Sequence, residues 1–338
     1  MREKKITIQD VADRSGVSKA TVSKYLNRQY QFMSKETAAR IAGVIRELDY
    51  RPSMTARSLK ARHSRLIGVV MPHVWSMAIA HSIQSVCAEC AKNGYAVIIC
   101  SAEDSPAQET ECINRLIDQR VDGILCYSGG VNRRYRDAGV PVVVTNRYQE
   151  DCPLDMVIIE NYDIVKTALE TLRKDGYESI AYVTTRVTPL SNKIIREKAF
   201  DDYVAENGLE DLFPKYTAET GSIHEFAKIL ADFGKSRPGK KKAVFASSNS
   251  TLRRVMTAIE MEKSIPRDLG LCGYELGGGN EDSLVPGALL LQYPLNQMAK
   301  QAVDLLISRI EGDKADMPMR IKIEPRLIRC PDSLLEVK

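Results

Sequence analysis

Residues Thr7–Asn27 read TIQDVADRSGVSKATVSKYLN, and the spacing within this stretch decides how the chain begins. It describes two short helices joined by a tight turn at Gly16. Thr7 caps the first helix, with Asp10 three residues on, at the end where the helix dipole favours an acid. Ile8 and Val11 supply an apolar face. Ala12 is small where two helices must cross closely, and Gly16 stands where the turn needs a positive φ. Ser18 caps the second helix, and Val22 and Leu26, one turn apart, point inward. Lys19, Ala20, Ser23 and Lys24 then share the opposite face. Any amphipathic helical hairpin needs a glycine turn and apolar spacing. The joint spacing of Ala12, Gly16 and Val22 followed by a basic outer face asks for more. It is the sequence form of a helix-turn-helix, whose second helix enters the DNA major groove.

Charge is distributed to match. Over 338 residues the net charge is only +4. Residues 1–65 nevertheless carry fifteen Lys and Arg against six acids, a net +9 that leaves −5 for the remainder. A basic head on a mildly acidic body suits a phosphate-binding module attached to something else. The length implies two or three domains. The amino terminus is polar and basic with no apolar core, so no secretory signal is expected. No apolar run reaches the ~18 residues of a membrane span. A cytoplasmic protein with reduced cysteines follows as the expectation. Cys87 and Cys90 form a C-x-x-C, which elsewhere signals metal or redox chemistry. Here it lies in a helical pattern without a second pair, and Cys100, Cys126 and Cys272 sit in or beside apolar runs as small hydrophobes. No metal and no cofactor are expected.

Residues 1–50 are helical, ending in a third helix from about Ser34 to Leu48 with Ile41, Ile45 and Leu48 in a stripe. Residues 51–64, RPSMTARSLKARHS, are polar and basic, and Pro52 breaks the preceding helix. From Leu66 short apolar strands alternate with helical patterns. The strands are Leu66–Met71, Tyr95–Cys100, Val121–Cys126, Val140–Thr145, Ile180–Thr184, Ala243–Ala246 and Leu269–Gly273. The helices include Met77–Asn93, Pro106–Gln119, Tyr162–Asp175, Ile194–Asn207, Thr251–Lys263 and Asn296–Glu311. Such alternation predicts parallel sheets with helices on both faces, enough for two sheets with a small-molecule cleft between them.

These motifs together resemble the lactose/galactose repressor (LacI/GalR) family of bacterial transcription regulators. The resemblance rests on Thr7–Asn27, Tyr50–Leu59 (YRPSMTARSL), Leu66–Pro72 (LIGVVMP), Val121–Leu125 (VDGIL), Gly176–Tyr182 (GYESIAY), Ile265–Tyr274 (IPRDLGLCGY) and Leu291–Leu306. It implies an all-α helix-turn-helix headpiece over 1–50 and a hinge helix or linker over 51–64. It further implies an α/β periplasmic-binding-protein-like core of two parallel-sheet subdomains over 65–338. The amino-terminal subdomain is expected at about 65–160 and 293–321, the carboxy-terminal one at about 161–292 and 322–338. A homodimer on near-palindromic double-stranded operator DNA is implied, with a small-molecule effector, no membrane and no enzymatic activity.

Carried over by position, Lys19, Ala20 and Lys24 occupy base-reading places: lysine donates to guanine O6/N7 and alanine packs on a thymine methyl. Thr21 and Ser23 are better placed for phosphates, and Thr7, Ser18, Asn27 and Ser53 join the expected DNA-contacting set. Ala56 and Leu59 match the hinge-helix motif, in which the leucine wedges into the minor groove and kinks the site; a flexible linker is the alternative. Arg196, Asn249 and Glu275 fall at positions resembling the family's effector contacts. The family usually shows Asp where Glu275 stands and Asn-Asp where Asn249-Ser250 stands. Trp75, the only tryptophan, follows the first core strand, where its ring either stacks on a sugar face or merely packs. Arg147, Arg186 and Lys193 follow strands or open a helix near the same cleft. Family sites for neutral sugars balance one arginine against acids, so this excess of positive charge implies an anionic effector such as a sugar acid. The alternatives are a solute-binding protein without DNA regulation, or a family member controlled by a protein or a non-sugar ligand.

Overall fold

The computed structural model describes residues 6–26, 29–50, 63–127, 133–146, 152–186, 192–275, 285–315 and 317–331. It divides into two compact units, residues 1–64 and 65–338. The expected hinge contacts Ser53, Ala56 and Leu59, together with Asn27 and Arg147, lie outside the described residues.

The headpiece contains helices α1 (Ile8–Ser15), α2 (Lys19–Leu26) and α3 (Lys35–Glu47), with a 3-10 turn at Tyr30–Phe32 between the last two. Thr7 and Asp10 form a reciprocal capping box, in which the Asp10 carboxylate accepts the Thr7 backbone N–H at 2.7 Å. Gly16 sits at φ 64°, ψ 34°, the left-handed corner that glycine enters at little cost. The Ser18 hydroxyl accepts the Thr21 backbone N–H at 3.1 Å, so α2 begins as the sequence requires. Val11, Ala12, Val22, Ile41 and Val44 close the core, with Leu26, Ile45 and Leu48 packed at its edge.

In the second unit, strands β1 (Leu66–Met71), β2 (Ala96–Ser101), β3 (Gly123–Cys126), β4 (Val142–Thr145), β5 (Asp155–Ile159) and β11 (Arg320–Ile323) form one sheet. Its order is β11-β5-β4-β3-β1-β2, parallel throughout. Strands β6 (Ser179–Thr185), β7 (Lys215–Ala218), β8 (Lys242–Ala246), β9 (Gly270–Tyr274), β10 (Leu289–Gln292) and β12 (Arg326–Arg329) form the other, in the order β12-β10-β9-β8-β6-β7. There only β12 runs antiparallel to its neighbour. The helices are α4 (Met77–Lys92), α5 (Pro106–Asp118), α6 (Arg133–Arg136), α7 (Tyr162–Lys174), α8 (Lys193–Asn207), α9 (Ile223–Lys235), α10 (Asn249–Met261) and α11 (Leu295–Ile310).

The chain crosses between the sheets three times: after β5, after β10 and after β11. Because β11 pairs with β5 through Ile323, the last crossing falls between Ile323 and Arg326, slightly beyond the expected 321/322 boundary. One buried ion pair anchors the first sheet. Arg309 on α11 donates from Nε to the Asp155 carboxylate at 2.8 Å, and Asp155 also accepts the Met319 backbone N–H at 2.6 Å. The C-x-x-C lies on α4, where burial pushes the Cys90 thiol up to about 12. Among the described residues no group of His, Cys, Asp and Glu is placed to hold a metal. Nor is any described helix long and apolar enough to cross a membrane.

Candidate DNA interface and effector site

Each unit carries its own candidate site. On the headpiece, α2 turns Val22 into the core and leaves Lys19, Ala20 and Lys24 exposed, with Thr21 and Ser23 half-buried beside them. This follows from the helical period: with Val22 and Leu26 turned inward, positions 20 and 24 fall on the opposite side and 19 and 23 on the flank. Three-residue spacing brings the Ser18 and Thr21 hydroxyls to 2.9 Å at the start of the helix, where backbone N–H groups suit a phosphate. Phe32, in the 3-10 turn, contributes a feature that the sequence reading missed. The Lys24 ammonium lies 4.9 Å from the centre of its ring.

In the second unit, both sheets share one winding pattern, in which the first strand lies inside and the second at the edge. The order reverses between β1 and β3 in one sheet and between β6 and β8 in the other. Doubly wound sheets bind ligands at such reversals, beyond the carboxyl ends of the strands. Trp75 follows β1, Thr185 ends β6, and Ser247–Asn249 follow β8, so these residues stand at the two reversals. Glu275 follows β9, next in order.

Arg196 sits on the first turn of α8 and is 6% exposed. Its Nε donates to Asn161 Oδ1 at 3.0 Å and its Nη1 to the Ser247 carbonyl at 2.6 Å. Its Nη2 donates to the Tyr293 hydroxyl, which in turn donates to Asn161 Oδ1 at 3.1 Å. The guanidinium lies over the Tyr274 ring at 3.8 Å. Tyr274 is buried, burial holds its phenol well above the ordinary range, and its hydroxyl finds no hydrogen-bond partner among the described residues. Asn161 and Tyr293 belong to the first and second crossings, so the hinge itself aims this arginine.

Lys193 opens α8, three residues before Arg196, and donates to Thr185 Oγ1 at 2.5 Å. Burial, and then the positive charges of Arg196 and Arg254, push its ammonium down to about 8. Asn249 is half-buried in the first turn of α10, with its side-chain Oδ1 accepting the Ser250 backbone N–H at 2.6 Å. Glu275 is half-buried. Trp75 is 77% exposed, its ring stacked on His73 at 4.1 Å, and Arg186 is exposed. At the start of α8, Asn192 Nδ2 donates to the carbonyl oxygen of Asn146 at 2.7 Å and to its Oδ1 at 3.1 Å. Asn146 follows β4, so this contact joins one subdomain to the other across the strand ends.

Residues 7–53 match the family described as bacterial regulatory proteins, lacI family, and residues 169–329 match a periplasmic binding protein-like domain. The helix-turn-helix of this chain is thus that of the LacI family of bacterial regulatory proteins. The HTH-type transcriptional regulator KdgR of Bacillus subtilis (strain 168) is 29% identical over 95% of this chain and 96% of its own. A lac repressor dimer bound to operator and the anti-inducer ONPF superposes with a TM-score of 0.82 at 19% identity, over 97% of this chain and 99% of that one. The Cra transcriptional dual regulator of Pseudomonas putida in complex with fructose 1-phosphate superposes with a TM-score of 0.66 at 21% identity, over 79% and 99%. The LacI-type helix-turn-helix, the two-sheet core and the role of a DNA-binding transcription regulator, rather than an enzyme, hold as expected.

Proposed function

We propose that this LacI-family regulator is a cytoplasmic repressor that binds a near-palindromic operator as a homodimer and is controlled by an anionic carbohydrate derivative in the core cleft. On the headpiece, Lys19, Ala20 and Lys24 read base edges. Thr7, Ser18, Thr21 and Ser23 anchor phosphates, and Asn27, Ser53, Ala56 and the Leu59 wedge complete the contact. In the core, Arg196 and Asn249 hold sugar hydroxyls beside Glu275, Trp75 offers a stacking face, and Arg147 and Lys193 meet the anionic group.

The observation that carries the effector class is Lys193. Its partly buried ammonium feels two further positive charges, Arg196 and Arg254, at the end of the second sheet. Like charges gathered in a low-dielectric wall cost energy that an incoming carboxylate or phosphate relieves. The fructose 1-phosphate held by the Cra relative supports this, since that ligand is an anionic sugar. A planar fork of N–H donors suits Arg196 to oxygen acceptors, and a point charge suits Lys193 to an anion.

Calorimetry of the full chain against matched neutral sugars, sugar acids and sugar phosphates tests the reading. An anionic member binds, Lys193→Gln weakens it selectively, and the same ligand shifts operator affinity. Equal binding of the neutral counterpart, unaffected by Lys193→Gln, overturns it.

A further inference from the structure

We infer that Phe32 is a positioning residue for DNA reading: its ring clamps the Lys24 ammonium against the recognition helix. This rests on the proposal that Lys24 reads a base edge. The 3-10 turn Tyr30–Phe32 folds back onto the carboxy-terminal half of α2. The Gln29 backbone N–H donates to the Lys24 carbonyl at 2.9 Å, which ties the turn to the helix end. Two aromatic rings of the turn then engage two consecutive residues of that helix. Tyr30 meets Tyr25 edge-on with centroids 5.6 Å apart, and Phe32 receives Lys24 at 4.9 Å.

Neither turn ring is buried to make these contacts. Phe32 is 60% exposed and Tyr30 is 49% exposed. A phenylalanine that served only packing belongs inside, as Val22 and Ile41 are. Phe32 instead remains at the surface, with its π-face against Lys24 near the carboxy-terminal end of α2.

The physical effect is pre-organisation. A lysine stem is flexible, and ordering it on binding costs conformational entropy. An ammonium has three donors, so it rests on the ring and still donates outward to guanine O6/N7. The attraction also strengthens as DNA excludes water from the pair. A flexible lysine contacts any acceptor nearby; a clamped one discriminates. The expected gain is about threefold in base preference per half-site, and about tenfold for a two-headpiece complex.

Selection from a randomised duplex library, with the full-length protein, gives base preference at every operator position. Lys24→Ala should flatten one symmetric pair of positions. Phe32→Leu should reduce preference at those same positions about threefold per half-site, and Phe32→Tyr should retain it. Pentafluorophenylalanine at position 32 keeps the ring's size while reversing its face charge, and it should behave like leucine. The salt dependence of binding to non-specific duplex should not change. If Lys24→Ala flattens its positions while leucine, tyrosine and the fluorinated ring act alike, the clamp is wrong. Tighter operator binding by Phe32→Leu also overturns it, because the ring would then hold Lys24 away from DNA. If Lys24→Ala flattens nothing, the base-reading assignment itself fails.

Discussion

Arg196 shows what a single residue can and cannot reveal before the fold is seen. Its position was marked by family resemblance, but nothing local to α8 announces Asn161, Ser247 and Tyr293 as its partners, which come from three distant segments. Lys193 was noted as an extra positive charge; its depressed titration arises from burial and neighbours that only the fold assembles. Arg196→Gln should abolish the effector response, read by calorimetry, while operator affinity in a gel shift persists. It should also lower stability by about 1.5–3 kcal/mol, because a buried charged group loses its hydrogen bonds. Lys193 sets a pH dependence. The charged lysine is disfavoured in the free fold, so its protonation lapses as pH rises through about 8. A bound anion raises that value, and binding then takes up a proton. Affinity for an anionic ligand should therefore be flat below pH 8 and fall above it. Calorimetry in two buffers of different ionisation enthalpy reads the proton uptake directly, and constant affinity from pH 7 to pH 10 would remove Lys193 from the site.

At the scale of elements, the helix-turn-helix was legible because its signals are local. The Thr7–Asp10 box, the positive φ at Gly16 and the Ser18 cap need no distant partner, and all three stand in the structure. Thr7→Ala should therefore cost the headpiece about 1 kcal/mol, visible as a lower midpoint in thermal unfolding followed by circular dichroism. Strands β1, β3, β4, β6, β8 and β9 were legible because central parallel strands read as unbroken apolar runs. Five strands went unread for different reasons. β7 (KYTA) and β11 (RIKI) are edge strands whose exposed residues carry charge. β12 is short and bounded by arginines, and β10 is a four-residue apolar run that merges into the terminal motif beginning at Leu291. β5 begins with an acid, Asp155, that is buried only because Arg309, far along the chain, neutralises it. Asp155→Asn should strand that guanidinium and destabilise the core by about 3–5 kcal/mol in chemical unfolding. Helix α9 is not among the helices named from the sequence, although Phe226, Leu230 and Phe233 stand at helical spacing and are buried together.

For the whole molecule, the alternation of strands and helices gave two sheets, yet three crossings are a property of topology that no window of sequence contains. Within the core, Asn192 and Asn146 join the subdomains at the strand ends. Asn192→Ala should ease their separation and change effector affinity severalfold, measured by titration, with no change in ligand preference. Effector and operator must also influence each other equally at equilibrium, with a coupling of about 1–3 kcal/mol. Effector titrations with and without DNA should give the same factor as operator titrations with and without effector. Residues 51–62, the expected carrier of that coupling, lie outside the described residues. A last consequence follows from the crossings. Asn161 and Tyr293, which steady Arg196, sit on two of the three segments that join the sheets. Glu160 on the first crossing is paired with Lys322, beside the third, at 2.8 Å. Any turn of one sheet against the other would therefore re-aim the guanidinium, which would make hinge angle and ligand grip one mechanical variable. Sequence drift at Asn161 or Tyr293 would then act as a gain control: it changes how much ligand the regulator needs, while the strand-end loops decide which ligand that is.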